Sequence, residues 1–141
     1  MEIKAELKQP YTDEEREDFI VEYNHRQGYK IEETDNALLA WGYTEEEKQE
    51  QEKERVKMLS CTKRDFALML QELGVTYSQL KEKIATNEHA QLEWDLCERL
   101  YRFNPLLDVM ASQLGITPLQ LDMIFKTANG ENTVEELRTL Q

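Results

Sequence analysis

Apolar residues recur at helical spacing along most of this chain, and the recurrence breaks at recognisable points. Residues 2–7 alternate weakly, which predicts a short strand ended by Pro10. Phe19, Ile20 and Tyr23 share one face of a helix over about residues 13–26, and Gly28 stops it. Residues 29–33 and 37–41 flank Thr34-Asp35-Asn36, a pattern that predicts a short hairpin. A helical turn over 37–41 is the alternative, because Ala and Leu are good helix formers. From residue 45 to residue 58 nearly every position is charged, and no apolar stripe appears before Val56. That predicts a solvated helical connector. Pairs such as Glu50 with Lys53 offset like-charged neighbours such as Glu46 and Glu50. A coiled-coil arm would need sustained apolar a and d positions, which this segment lacks.

Helix starts are legible in a second pattern, Thr-x-x-Asp/Glu/Gln. It pairs Thr12 with Glu15, Thr44 with Glu47, Thr62 with Asp65, Thr76 with Gln79, Thr117 with Gln120 and Thr133 with Glu136. In such a box the Thr oxygen accepts from an orphan N–H of the first turn, and the third residue reaches back to the cap. Pro118 follows Thr117 at the first helical position, where a missing N–H costs nothing.

Residues 63–84 and 104–125 align without a gap at an offset of 41. Met69 matches Met110, Leu80 matches Leu121, and Leu73-Gly74-Val75-Thr76 matches Leu114-Gly115-Ile116-Thr117. Each unit predicts a helix ending on Leu, a left-handed Gly, an apolar plug at the corner, and a Thr-capped second helix. A helix pair joined this tightly cannot bury both apolar faces alone. A helix over about 88–103, with Leu92, Leu96, Leu100 and Phe103 as its stripe, is the expected partner. The expected fold is therefore mainly α. A small N-terminal α+β region covers 1–43, a charged helical connector 44–60, and a helical domain 61–141. That domain is built from two helix-turn-helix-like hairpins around a central helix.

Charge narrows the partners. The 141 residues include 29 acidic and 17 basic side chains, a net charge of −12. The first 60 residues hold 17 acidic and 9 basic, net −8; the remainder hold 12 and 8, net −4. Nucleic-acid binding draws much of its affinity from Lys and Arg on phosphates, so the long-range field opposes it. A reader of base edges also needs polar side chains on its second helix. Leu119, Leu121, Met123, Ile124 and Phe125 instead make that helix look like core. Basic protein surfaces are the partners that the charge favours. No segment approaches the ~20 apolar residues of a membrane span, and residues 1–10 lack the apolar run of a secretion signal. A cytoplasmic location is expected, with Cys61 and Cys97 as reduced, partly buried thiols.

Candidate chemistry is sparse. His89, Glu93 and Cys97 would share one helix face across about two turns, with Glu88 beside them, and allow a His/Cys/Glu metal site to be imagined, but a fourth ligand at suitable spacing is missing. His25 lies far away in sequence, and no phosphate loop, GxSxG or HExxH occurs. Trp41 and Trp94 read as core residues. No catalytic, cofactor-binding or metal-binding residue is assigned, and no cofactor is expected.

Three stretches carry a resemblance. They are Ala40-Trp41-Gly42 with the Glu/Lys/Gln-rich helix after it, Thr62-Lys63-Arg64-Asp65-Phe66, and Asn104-Pro105-Leu106-Leu107-Asp108 with the 114–117 and 120–125 segments. Together they resemble small acidic proteins that phages and prophages encode, often beside tail-fibre genes. The resemblance implies a non-enzymatic protein that contacts another phage protein, in tail or tail-fibre assembly or as an accessory virion part. It would work in the cytoplasm of a bacterial host cell or in association with the virion. Two alternatives come from the residues themselves. The carboxylate-rich 45–54 segment would suit a counter-defence protein that mimics DNA, and the paired helices would suit a DNA-binding regulator.

Overall fold

The computed structural model describes residues 1–140. It is mostly helical, with eight α-helices and two small antiparallel sheets among those residues. The chain divides into two compact units within one helix: the first ends at Glu52 and the second begins at Lys53.

In the first unit β1 (Glu2–Lys8), β2 (Lys30–Glu33) and β3 (Ala37–Gly42) form a sheet in the order β1-β3-β2. Residues 37–41 are thus the central strand, not a helical turn. Pairing on both edges satisfies their backbone, with Lys8 opposite Ala37 on one side and Glu33 opposite Leu38 on the other. Tertiary pairing here overrides the helix propensity of Ala and Leu. Thr34 sets the hairpin turn, its Oγ1 accepting from the N–H groups of Asn36 and Ala37. Helix α1 (Asp13–Ile20) starts on the reciprocal Thr12–Glu15 box and continues as a π-helical segment, Val21–Arg26. Gly28 ends it at φ +75°. Phe19 packs on Leu38 and Ala40, with Tyr23 tilted against it at 4.7 Å between ring centroids. Arg16 and Tyr11 both bond Glu33 on strand β2 and hold that carboxyl below the usual range, Arg16 contributing most.

Helix α2 (Glu45–Lys57) carries the charged segment, and Val56 is its buried residue. Its first turn closes the Thr44–Glu47 box in both directions, each bond 3.1 Å.

The second unit holds β4 (Ser60–Thr62), α3 (Lys63–Glu72), α4 (Tyr77–Ala85), α5 (Glu88–Leu96), β5 (Arg99–Tyr101), α6 (Pro105–Gln113), α7 (Pro118–Ala128) and α8 (Val134–Arg138). Thr76 and Thr117 cap α4 and α7 with complete boxes. Gly74 and Gly115 lie at φ +85° and +75°. The corner bonds match at the repeat offset: Val75 N–H donates to Leu70 O at 2.9 Å, and Ile116 N–H to Ala111 O at 2.8 Å. Gly130 makes a third such corner before α8, where Glu131 N–H donates to Lys126 O at 2.9 Å. Helix α3 packs on α7, and α4 packs on α5 and α6. Phe125, Leu121, Ile124, Leu70 and Leu137 fill the core.

The expected central helix over 88–103 does not form. Helix α5 stops at Leu96, Cys97 turns extended at ψ 144°, and residues 99–101 form β5 against β4. Cys61 pairs with Leu100, and Arg102 N–H donates to Leu59 O at 3.0 Å. A continued helix would have forfeited this pairing. It would also have run into Pro105, which disfavours helical backbone at Asn104; Asn104 instead caps α6. The predicted stripe is accordingly split: Leu100 is buried, while Leu92, Leu96 and Phe103 are exposed. Ser60 pairs with Tyr101, two residues separated by the same 41 positions as the repeats.

Candidate functional site: an apolar cleft in the second unit

The abandoned helix leaves a cleft. The face of α5 formed by Ala90, Glu93 and Trp94, with Cys97 just past its end, borders it, as do residues of α3, α4, β5 and α6. Ala90, Glu93 and Trp94 follow i, i+3, i+4, so a single helix face supplies most of that wall. Phe66, Leu70 and Met110 line the interior. The cavity measures about 430 Å³, within the range of ~300–1,000 Å³ typical of ligand sites. Phe66 sits between Phe125 and Trp94, at 6.1 and 6.5 Å between centroids. Lys63 fixes the wall from behind, its Nζ donating to Trp94 O at 2.6 Å and lying 5.7 Å from the indole centroid.

Tyr101 and Phe103 line the cleft as well, stacked at 5.3 Å and respectively 44% and 54% exposed. Two large rings this open to water are unusual next to an apolar cavity, where contiguous exposed apolar surface marks interaction sites. Polar groups among the lining are few. Asn104 Nδ2 donates to Glu93 Oε2 at 2.8 Å, Arg99 Nε donates to Ser60 Oγ at 3.0 Å, and Glu98 is exposed.

A second, more polar depression of about 680 Å³ lies between the two glycine corners. Leu73 faces it with Leu114, Gly74 with Gly115, Val75 with Ile116 and Gln79 with Gln120. Most of its lining thus comes in repeat-equivalent pairs, with Glu82, Lys83 and Gln113 completing it. Beside α6 and α7, Arg102 is buried, and its guanidinium bonds Asp122 at 2.7 Å, both oxygens of Asp108 at 3.2 Å and Pro118 O at 3.4 Å.

The residues weighed for metal binding are only partly assembled. His89 lies 3.5 Å from Glu93 on one face of α5, and Cys97 turns its thiol toward Trp94 O at 3.7 Å. Among the described residues no group of three or more His, Cys, Asp or Glu is placed to hold a metal ion. His25 belongs to the π-helical segment of the first unit. Trp41 lies on β3, and Trp94 packs against the core while also walling the cleft. Both cysteines are free. Burial pushes the Cys61 thiol up to about 12, the Asp65 carboxylate adding to the rise and Arg99 opposing it.

The cleft was not foreseen from the sequence. Its signal was present in the α5 face at 90, 93 and 94, and was hidden by the competing 92, 96, 100, 103 stripe. Among the described residues no helix is long and apolar enough to cross a membrane. No protein-family model, curated protein or solved structure matches this chain.

Proposed function

We propose that this chain is a non-enzymatic phage or prophage protein that acts by binding another phage protein, in tail or tail-fibre assembly or as a tail accessory. The observation that carries the protein-binding part is the apolar cleft with Tyr101 and Phe103 exposed at it. A cleft of this kind, with few polar groups, suits an apolar anchor from a partner. The phage assignment rests on the sequence resemblance. We read the second unit as two helix-turn-helix-like hairpins used as scaffold. Their matched glycine corners and the Ser60–Tyr101 pairing support that reading. Against a DNA-reading role, α7 buries Leu121, Ile124 and Phe125, and Gln120 is spent on Thr117 and Leu140 O. Affinity capture from a lysogen, with the neighbouring tail proteins expressed, is the test. Enrichment of a tail or tail-fibre protein is expected; recovery of none of them would overturn the proposal.

The DNA-mimic reading keeps one supporting observation, the exposed carboxylates along α2. It requires salt-sensitive binding to a nucleic-acid-handling enzyme and competition with DNA at low salt. Absence of competition removes it.

A further inference from the structure

We infer that the cleft is the unfilled counterpart of the seat that α8 occupies, and that the partner fills it with a short helix inserting one Leu-like side chain. This rests on the protein-binding reading above and specifies what the partner presents.

The second unit is organised about a pseudo-twofold through the Ser60–Tyr101 pair. Moving 41 positions along the chain takes Leu59 to Leu100 and Cys61 to Arg102. The backbone pairing of Leu59 with Arg102 therefore exchanges with that of Cys61 with Leu100. The helices obey the same exchange, since α3 packs on α7 and α6 packs on α4. In one half, α8 covers this packing. It bridges α7 to α3, buries Leu137 completely, and is tied down by Arg138 Nε donating to Glu72 Oε2 at 2.7 Å. The exchanged place lies on α4 and α6. There Leu80 and Ile84 of α4, with Leu107 and Met110 of α6, line the cleft. Their counterparts Leu121, Phe125, Phe66 and Met69 all pack in the core that holds Leu137.

The chain leaves this second seat open for a local reason. Gly130, at φ +78°, turns the backbone between α7 and α8. Its counterpart is His89, which lies inside α5. A helix running through that position takes another course. Leu96, the counterpart of Leu137, is 74% exposed, and the space between α5 and α6 is the cleft. Two packed helices covered by a Leu-bearing helix on one side need a like cover on the equivalent side. The seat asks for no particular charge, because Gln113 stands where Glu72 holds Arg138. It also asks for no buried hydrogen bond. Asn104 and Glu93 bond each other, and no buried side-chain polar atom among the described residues lacks a partner.

The test uses the whole protein and a peptide copy of α8. The peptide carries residues 132–140 and continues in Ala and Gln to about 18 residues, so that it holds a helix. Its twins carry Leu137→Ala or Arg138→Ala. Binding is read from the methyl NMR signals of Met110 and of its counterpart Met69, up to about 1 mM peptide. The Leu peptide is expected to shift Met110 and leave Met69 in place, with the Leu137→Ala twin weaker by about tenfold or more. Gln113→Glu, at an exposed position, recreates the Glu72 carboxylate. It should tighten the Leu peptide about threefold and leave the Arg138→Ala twin unchanged. An unmoved Met110, equal binding of the Leu peptide and its Leu137→Ala twin, or a Gln113→Glu variant indifferent to the arginine overturns the inference. A shift of Met69 alone also overturns it, by placing the peptide in the seat of α8 itself. So does a Met110 signal that moves with protein concentration as a dimer forms, which gives the cleft to a second copy. Uptake of a medium-chain fatty acid with exclusion of the peptide overturns it too, by making the cleft a small-molecule cavity. A chain that captures tail proteins but fails the peptide test leaves the protein-binding reading standing and removes this one. A chain that captures none loses the reading beneath it.

Discussion

Thr76 and Thr117 do the same work at equivalent places. Each Oγ accepts from the N–H three residues on, and the following Gln reaches back to the cap N–H at 2.8 Å. Replacing either by Ala should cost about 1 kcal/mol in urea denaturation. Thr62 is the informative exception. It accepts from Asp65 N–H at 3.1 Å but receives no reciprocal bond, because an Asp side chain is one methylene too short to return. At Gly74 and Gly115 a Cβ would meet nothing within 4 Å, so the penalty for Ala comes from the backbone alone. Gly74→Ala and Gly115→Ala should each destabilise by about 1 kcal/mol, and Asn, which tolerates positive φ, by less. Gly42 is the opposite case. A Cβ there would lie 2.8 Å from the Tyr29 ring and 2.9 Å from Lys4, so Gly42→Ala should cost about 1–3 kcal/mol through overpacking. Cys61 gives a pH signature. Its folded pKa is raised, so the contribution of the neutral buried thiol is complete below the unfolded pKa of about 9 and is lost as pH rises toward about 12. Over that window stability should fall by up to about 1.4 kcal/mol per pH unit from this group. Cys61→Ala should remove that share of the slope. A thiol reagent at neutral pH should label Cys97 and spare Cys61, which is 2% exposed.

At the scale of elements, the helices were legible because their boundaries are written locally. Five of the six Thr boxes close in both directions, and each reports only on four consecutive residues. The three-residue strands were not legible, because their cause is distant. Cys-Glu-Arg-Leu-Tyr carries no turn signal, and becomes β5 only through pairing with β4, whose partner positions lie about forty residues upstream. Once β5 forms, Leu100 turns inward and Phe103 outward, and the cleft opens beside α5. The candidate site thus came from the part of the fold that local pattern misses. Arg102 is placed by the same event. It clamps α6 and α7 through Asp108 and Asp122, whose equivalents in the first repeat are Ala67 and Lys81. The clamp is a feature of the second repeat alone. Because both carboxylates keep some solvent access, Arg102→Met should cost about 2 kcal/mol, less than breaking a fully buried pair. Chemical denaturation of the variant, alone and with Asp122→Asn, measures the coupling.

For the whole molecule, the proposed function rests on the charge pattern and the exposed apolar surface. A net charge of −12 sets a long-range field that opposes nucleic acid, and under the proposed function the apolar cleft of the second unit is where a protein partner docks. The acidity and the resemblance to phage proteins were legible in the sequence; the cleft is the place we propose for the contact. The most direct measurement places a photo-crosslinking amino acid at position 103, and separately at exposed Glu32 of the first unit, in a lysogen expressing the neighbouring tail proteins. The account predicts a crosslink from position 103 to a tail or tail-fibre protein, and none from position 32. Crosslinks to none of those proteins from position 103, in a chain that folds normally, would contradict it.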